Sequence, residues 1–217
     1  MQPFELVIRS LPVLLRGTVL TIEFAFCAML LGLLVGTAVA LMRLSRSQLF
    51  AFPAQVFVSI MRGTPLLVQI FVVYYGLPRI GISLEPVPAG ILALTLNVGA
   101  YLSESIRGAI SAVPTGQWHA AFSLGMRPVQ TLRYIIGPQA LRIAVPSLSN
   151  SLISLIKDTS LVSVITVTEL LRSTQELIAA TYEPLPLYLA AAAIYWVLST
   201  GLEHLQHILE RRLALAR

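Results

Sequence analysis

The stretch QWHAAFSLGM, Gln117–Met126, decides how the rest of the chain is read. It is a short helix-forming insert between Pro114 and Gly125, too polar for a membrane span and too poor in charge for a free loop. Long apolar segments flank it, and Arg107, Arg127, Arg133 and Arg142 surround it. A small, shaped helix on the arginine-rich side of an apolar chain is a handle that a groove on another subunit can hold.

Composition sets the solvent. Hydrophobic residues make up 56% of the 217 and charged ones 12%, against roughly 25% charged in a soluble domain. Such a chain cannot cover itself with polar surface, so lipid covers part of it. The length suits one helical membrane domain over 1–217. Met1–Ser10 carries Glu5 and Arg9 and does not read as a cleaved leader. The lone Cys27 provides neither a disulfide framework nor a thiol-based metal site. The net charge of +5 is scattered between apolar segments and forms no stripe, which argues against a nucleic-acid partner.

A spanning helix needs about 20 predominantly apolar residues. Five segments qualify, at about 17–42, 48–77, 88–106, 139–156 and 185–202. Gly32 and Gly36 give the first a GxxxG face for close helix approach. Arg62-Gly63-Thr64-Pro65 interrupts the second, and a proline break at membrane depth is tolerated only against protein or a wet cavity. Thr159–Leu171 is expected to return or to lie at the interface, and Glu203–Arg217 forms a polar end. With the amino terminus outside, the inner segments hold Arg43, Arg46, Arg107, Arg127, Arg133, Arg142, Arg211, Arg212 and Arg217, nine of the fifteen basic residues. The outer segments then hold Glu5, Glu85, Asp158, Glu169, Glu176 and Glu183, six of the ten acids. Arginine bias therefore places the amino terminus out, the carboxyl terminus in and the Gln117 insert inside.

Two polar stripes recur at helical spacing: Asn97, Tyr101, Glu104 and Gly108 on the third span, and Ser147, Asn150, Ser151, Ser154 and Asp158 on the fourth. Polar groups facing hydrocarbon cost several kcal/mol on the order given for unsatisfied groups, so both stripes face inward. They serve either as interhelical glue or as the lining of a pathway. Glu104 has Arg107 three residues on, so an intrahelical ion pair competes with a ligand role. Asp158 follows Lys157, the only lysine, and adjacent helical residues do not face each other. Glu23 reads as a helix-end or interface residue, and His204 and His207 as a solvated helix end. The chain has no GxxxxGK[ST] loop, HExxH, GxSxG or cysteine cluster, so energy for any active transport comes from a partner or an ion gradient.

With these residues in place, the chain resembles a family. The Gln117 insert, continuing as PQALRIAVPSLSN (Pro138–Asn150), is similar to the cytoplasmic EAA loop of ATP-binding-cassette importer permeases, here about 114–138. RGTPLLVQIFVVYYGLP (Arg62–Pro78), AYLSESIRGAISAVPTGQ (Ala100–Gln117) and KDTSLVSVITVTEL (Lys157–Leu170) narrow the resemblance to permeases of the polar amino acid uptake branch. The resemblance implies an all-α type I permease fold, with five transmembrane helices and a coupling helix, in a bacterial cytoplasmic (inner) membrane. It also implies a second, identical or homologous permease subunit, a cytoplasmic ABC ATPase dimer that binds ATP and Mg, and a periplasmic or lipid-tethered amino-acid-binding protein. No cofactor is expected on this chain and no catalytic residue. Coupling to the ATPase falls to Gln117, Trp118, His119, Ala120, Ala121 and Phe122, with Gly125 at the left-handed stop. Interfacial anchoring is the other reading of Trp118 and Phe122.

The chain departs from the family pattern at two places. His119 stands where the loop usually has glutamate, and Gly137 where leucine usually precedes Pro138. A histidine cannot supply the same fixed negative charge, so docking uses neutral hydrogen bonds or becomes pH-sensitive, or a different paired permease carries the glutamate. The implied cargo is a polar amino acid or derivative such as an opine. Glu104 and Asp158 then receive ammonium groups, Arg62 and Thr64 at the break receive the carboxylate, and Asn97, Tyr101 and Ser154 line the way. An ion-coupled secondary transporter or channel subunit is the rival reading, and needs neither the lever nor an ATPase.

Overall fold

The computed structural model describes residues 3–215, and among them all regular structure is helical. Helix α1 runs over Pro3–Arg43, α2 over Gln48–Gly63, α3 over Leu66–Phe71 and α4 over Pro86–Ala112. The short α5 covers Thr115–Ser123 and α6 Pro128–Thr131; α7 covers Gly137–Asp158, α8 Leu170–Thr181 and α9 Pro184–Leu215. A π-helical turn, Val72–Gly76, extends α3, and a second, Leu132–Ile136, joins α6 to α7.

The pair α1 and α4 forms the centre, and its closeness is written in glycine. A Cβ on Gly32 would lie 2.5 Å from Val98 Cγ1, and one on Gly36 2.9 Å from the Gly99 carbonyl oxygen. The GxxxG face thus seats α1 directly on α4, where backbone and small side chains exclude lipid. Around this seam the main core gathers Phe24, Ala28, Leu94 and Leu102 with Ile156, Val162 and Ile165 from the far end of α7 and beyond.

Three helices, α1, α4 and α9, are long and apolar enough to cross a membrane, or up to five crossings exist if each bent pair counts as one. Three sequence expectations gain structural detail. The interruption expected within 48–77 is present, and α2 and Leu66–Ile80 meet there at 110°. Pro65 has no amide hydrogen and holds Thr64 extended, at φ −123° and ψ 148°, so the α-helical ladder cannot pass. Within Thr159–Leu171 the chain forms a 3-10 turn, Thr159–Ile165, with Val162, Ile165 and Leu170 fully enclosed, and bends by 49° between Ile165 and Leu170. The polar end continues the last span as the same helix, α9, to Leu215. Arg217, counted among the inner arginines, lies outside the described residues.

Candidate functional site

The break between α2 and α3 frees backbone carbonyls inside the protein, and each needs a donor because no water serves hydrocarbon. Gln69 meets this need. Its Nε2 lies 2.8 Å from the Met61 carbonyl, 3.2 Å from that of Thr64 and 2.9 Å from Thr64 Oγ1. Asn97 Nδ2 donates to Gln69 Oε1 at 3.0 Å and to the Met61 carbonyl at 3.3 Å. The break is therefore held shut on α4 by two side-chain amides. Gln69 went unnoticed in the sequence; its signal is a lone amide inside an apolar run.

Helix α4, whose prolines sit only in its first turn, and the later part of α7 bring their polar stripes together. Ser105 and Ser147 hydroxyls sit 2.6 Å apart, which fixes the register of the two helices. Between the stripes and the break opens a cavity of about 710 Å³. Arg62, Thr64, Asn97, Tyr101, Glu104, Ser154 and Asp158 all line it. These seven residues come from three separate segments, and the fold places every one on a single wall system.

The charges are distributed unevenly along this cavity. Glu104 accepts hydrogen bonds from Arg107, one turn along α4, and from Arg43 at the end of α1. Arg62 approaches the same carboxylate at 3.9 Å and lies over the Tyr101 ring, 5.3 Å from its centroid. Glu104 is thus committed to arginines, which leaves it less free for a ligand ammonium than the sequence expects. Arg43, read in the sequence only as one of the inner-segment arginines, is a member of this cluster. Asp158 is half-buried, and among the described residues no side chain donates a hydrogen bond to it.

A second buried carboxylate was missed. Glu169, assigned by sequence to an outer segment, is wholly enclosed and caps α8 by accepting from the Arg172 amide at 2.7 Å. Tyr195 of α9 donates to it at 2.7 Å, and Thr21 of α1 at 3.4 Å. It ties three helices and does not line the cavity described above.

At the other end of α4, Val113 and Pro114 turn the chain into α5. The helix stops in a Schellman arrangement: the Gly125 amide donates to Phe122 O at 2.9 Å and the Met126 amide to Ala121 O at 3.1 Å. Gly125 has φ +76°, which glycine adopts without strain. Trp118 and Ala121 face the chain's own body, where Trp118 packs against the cluster that holds Ile110, Val113 and Ile136. Gln117 accepts from Gln139 of α7 at 3.4 Å. His119, Ala120 and Phe122 are exposed, with Phe122 at 46% and the following Leu124 at 82%. These residues make the exposed surface of α5, with the Phe122 ring 6.1 Å from that of Trp118, which roots the helix.

Residues 28–215 match the family model described as binding-protein-dependent transport system inner membrane component. The chain is 44% identical over 213 residues to the L-cystine transport system permease protein TcyB of Bacillus subtilis (strain 168), covering 97% of this chain and 91% of that one. It is 42% identical over 201 residues to the nopaline transport system permease protein NocM of Agrobacterium fabrum, covering 88% and 83%. Among solved structures, a chain of an amino acid ABC transporter with histidines superposes with a TM-score of 0.89 at 36% identity, covering 94% of this chain and 96% of that one. A chain of the MetNI methionine ABC transporter in an inward-facing conformation shares the fold, with a TM-score of 0.79 at 20% identity and coverage of 94% and 97%.

Proposed function

This chain belongs to the binding-protein-dependent transport system inner membrane component family, and we propose that it is the permease subunit of an ATP-binding-cassette importer for a polar amino acid or amino acid derivative. The observation that carries the reading is the polar cavity of about 710 Å³, enclosed by α4, α7 and the broken α2–α3 pair, in an otherwise apolar chain. It is large enough for an amino acid and is lined by hydroxyls, amides and charges that replace water around a zwitterion.

In this reading two permease subunits, identical or homologous, pass the substrate through the inner membrane. A binding protein delivers it outside, and a cytoplasmic ATPase dimer, which carries the ATP and Mg, grips the exposed face of α5. The amino terminus is outside and the carboxyl terminus inside. Closure of the ATPases swings α5, and because Trp118 roots α5 against α4 and the start of α7, the swing reaches the cavity walls and exposes them alternately to each side.

Reconstitution in proteoliposomes tests this. Uptake of a labelled amino acid is expected only with the co-expressed ATPase, ATP and binding protein, and to disappear when Phe122 and Leu124 are both replaced by Ser. Uptake by this chain alone, driven by a sodium or proton gradient, would overturn it in favour of a secondary transporter.

A further inference from the structure

A second opening lies apart from the polar cavity, at the end of the molecule that carries α5. It is a groove of about 300 Å³ between α1, α4 and α7. On α1 it runs from Leu33 to Leu41, about 12 Å at the α-helical rise, and on α7 from Gly137 to Leu148, about 16 Å. The groove is therefore long and narrow and lies lengthwise between the two helices. Its floor is made by buried Ala109, Ile110, Ala140 and Ala144, while Leu41 and Leu141 on the rims are 43% and 60% exposed. Thr37 is the one lining residue with a polar side chain. Water and polar solutes find too few partners there, so hydrocarbon is what fills it. Glycine shapes the end nearer α5: a Cβ on Gly137 would stand 2.7 Å from the Leu132 carbonyl oxygen, so the π-helical turn Leu132–Ile136 packs this closely only without one.

The same end is strongly basic. Residues 105–147 carry Arg107, Arg127, Arg133 and Arg142 and no acid, and the preceding Glu104 is taken up by Arg43 and Arg107. Arg133 follows the groove residue Leu132, Arg142 follows Leu141, and Arg46 lies five residues past Leu41; all three are exposed. An apolar slot that ends among exposed guanidiniums matches a lipid with a negative headgroup. We propose that an anionic phospholipid seats one acyl chain in this groove, with its phosphate among these arginines. The seat bears on α5, because Ile110, Ala140 and Ala144 on its floor belong to the cluster that roots Trp118. A filled groove gives those side chains dispersion contacts that a void lacks, and so braces the root. The site is separate from the polar cavity and does not rest on the importer reading.

The test is native mass spectrometry of the purified permease assembly, stripped of endogenous lipid in detergent and titrated with phosphatidylglycerol or phosphatidylcholine of identical chains. Phosphatidylglycerol is expected to bind about fivefold more tightly or better, the factor that one basic residue near an anionic surface supplies. It should also raise the melting point. Thr37→Phe and, from the opposite rim, Leu141→Trp fill the groove from exposed positions that tolerate a larger ring. Both should fold, lose the retained lipid and lose the rise in melting point. Arg46→Gln combined with Arg133→Gln should instead keep a lipid but abolish the preference for phosphatidylglycerol. Equal retention of the two lipids by the wild type, or undiminished retention in both filled variants, overturns the inference. A photoreactive side chain at position 37 that captures lipid supports it, and one that captures a polypeptide overturns it, since the groove is then a protein interface.

Discussion

Glu104 joins three segments that are distant in sequence, because Arg43 ends α1, Arg62 precedes the break and Arg107 lies one turn on. Its charge is what keeps the guanidiniums of Arg43 and Arg107, 16% and 34% exposed, together in a poorly hydrated place. Glu104→Gln is expected to destabilise the chain by about 1–3 kcal/mol, less than a fully buried pair because these groups retain some water. Thermal unfolding in detergent micelles measures it, and a melting point equal to wild type would refute the structural role. Arg62→Gln should lower stability by less than about 1 kcal/mol, as expected for a loose, exposed pair. Amino acid binding to the intact complex should nevertheless weaken in the same variant. A carboxylate and an arginine three residues apart were visible in the sequence as a pair. The two further arginines were not, because their approach depends on how α1 and the broken α2 pack against α4.

The elements divide into those that local chemistry dictates and those that need the whole fold. The GxxxG seam was legible because glycine at four-residue spacing has one common use between membrane helices. Gly36→Val would press methyl groups into the Gly99 carbonyl and Leu102, whose atoms lie 2.9 Å from a built Cβ. Overpacking of this kind costs about 1–3 kcal/mol, read as a lower melting point and less folded protein in the membrane; normal expression and melting would show that α1 has another seat. The interruption at Pro65 was equally legible, but not its 110° bend or its repair by Gln69, since a side-chain amide eight residues from its acceptor has no periodic signature. The short helix α5 was legible in extent, but not which of its side chains the body covers. Apolar residues look alike in sequence, whereas the structure seats Trp118 against the body and leaves Phe122, one turn on and in ring contact with it, half exposed. Two variants therefore separate two roles. Trp118→Ala should destabilise the free chain by about 1–3 kcal/mol, below the cost for a fully buried ring. Phe122→Ala, which removes only a half-exposed ring beside Trp118, should lower the free chain's melting point less than Trp118→Ala does and reduce the ATPase recovered with it. Equal effects of both variants on melting would contradict the view that Trp118 alone roots the helix.

At the scale of the molecule, α1 is longer than a membrane requires. Its 41 residues extend about 61 Å against a hydrocarbon core of about 30 Å. Its most apolar part must occupy the bilayer, so one end projects, and the ion pair between Arg9 and Glu5 marks the first turns as the projecting end. Those turns do not stand alone: Leu14 packs with Leu170 of α8 and Ala191 of α9, and the Thr21–Glu169–Tyr195 bonds tie the same three helices. The projecting ends of α1 and α8 and the start of α9 thus form one rigid cap, on the face opposite α5. If arginine bias sets the orientation, that cap is extracellular and α5 is cytoplasmic. Two single-cysteine variants, made in a Cys27→Ser background, decide it: Glu183→Cys at the exposed α8–α9 turn and Ser123→Cys at the exposed end of α5. A membrane-impermeant maleimide applied to intact spheroplasts should label position 183 and leave position 123 until the membrane is opened. The opposite pattern would invert the molecule, put α5 out of reach of any cytoplasmic motor and remove the basis for nucleotide-driven transport.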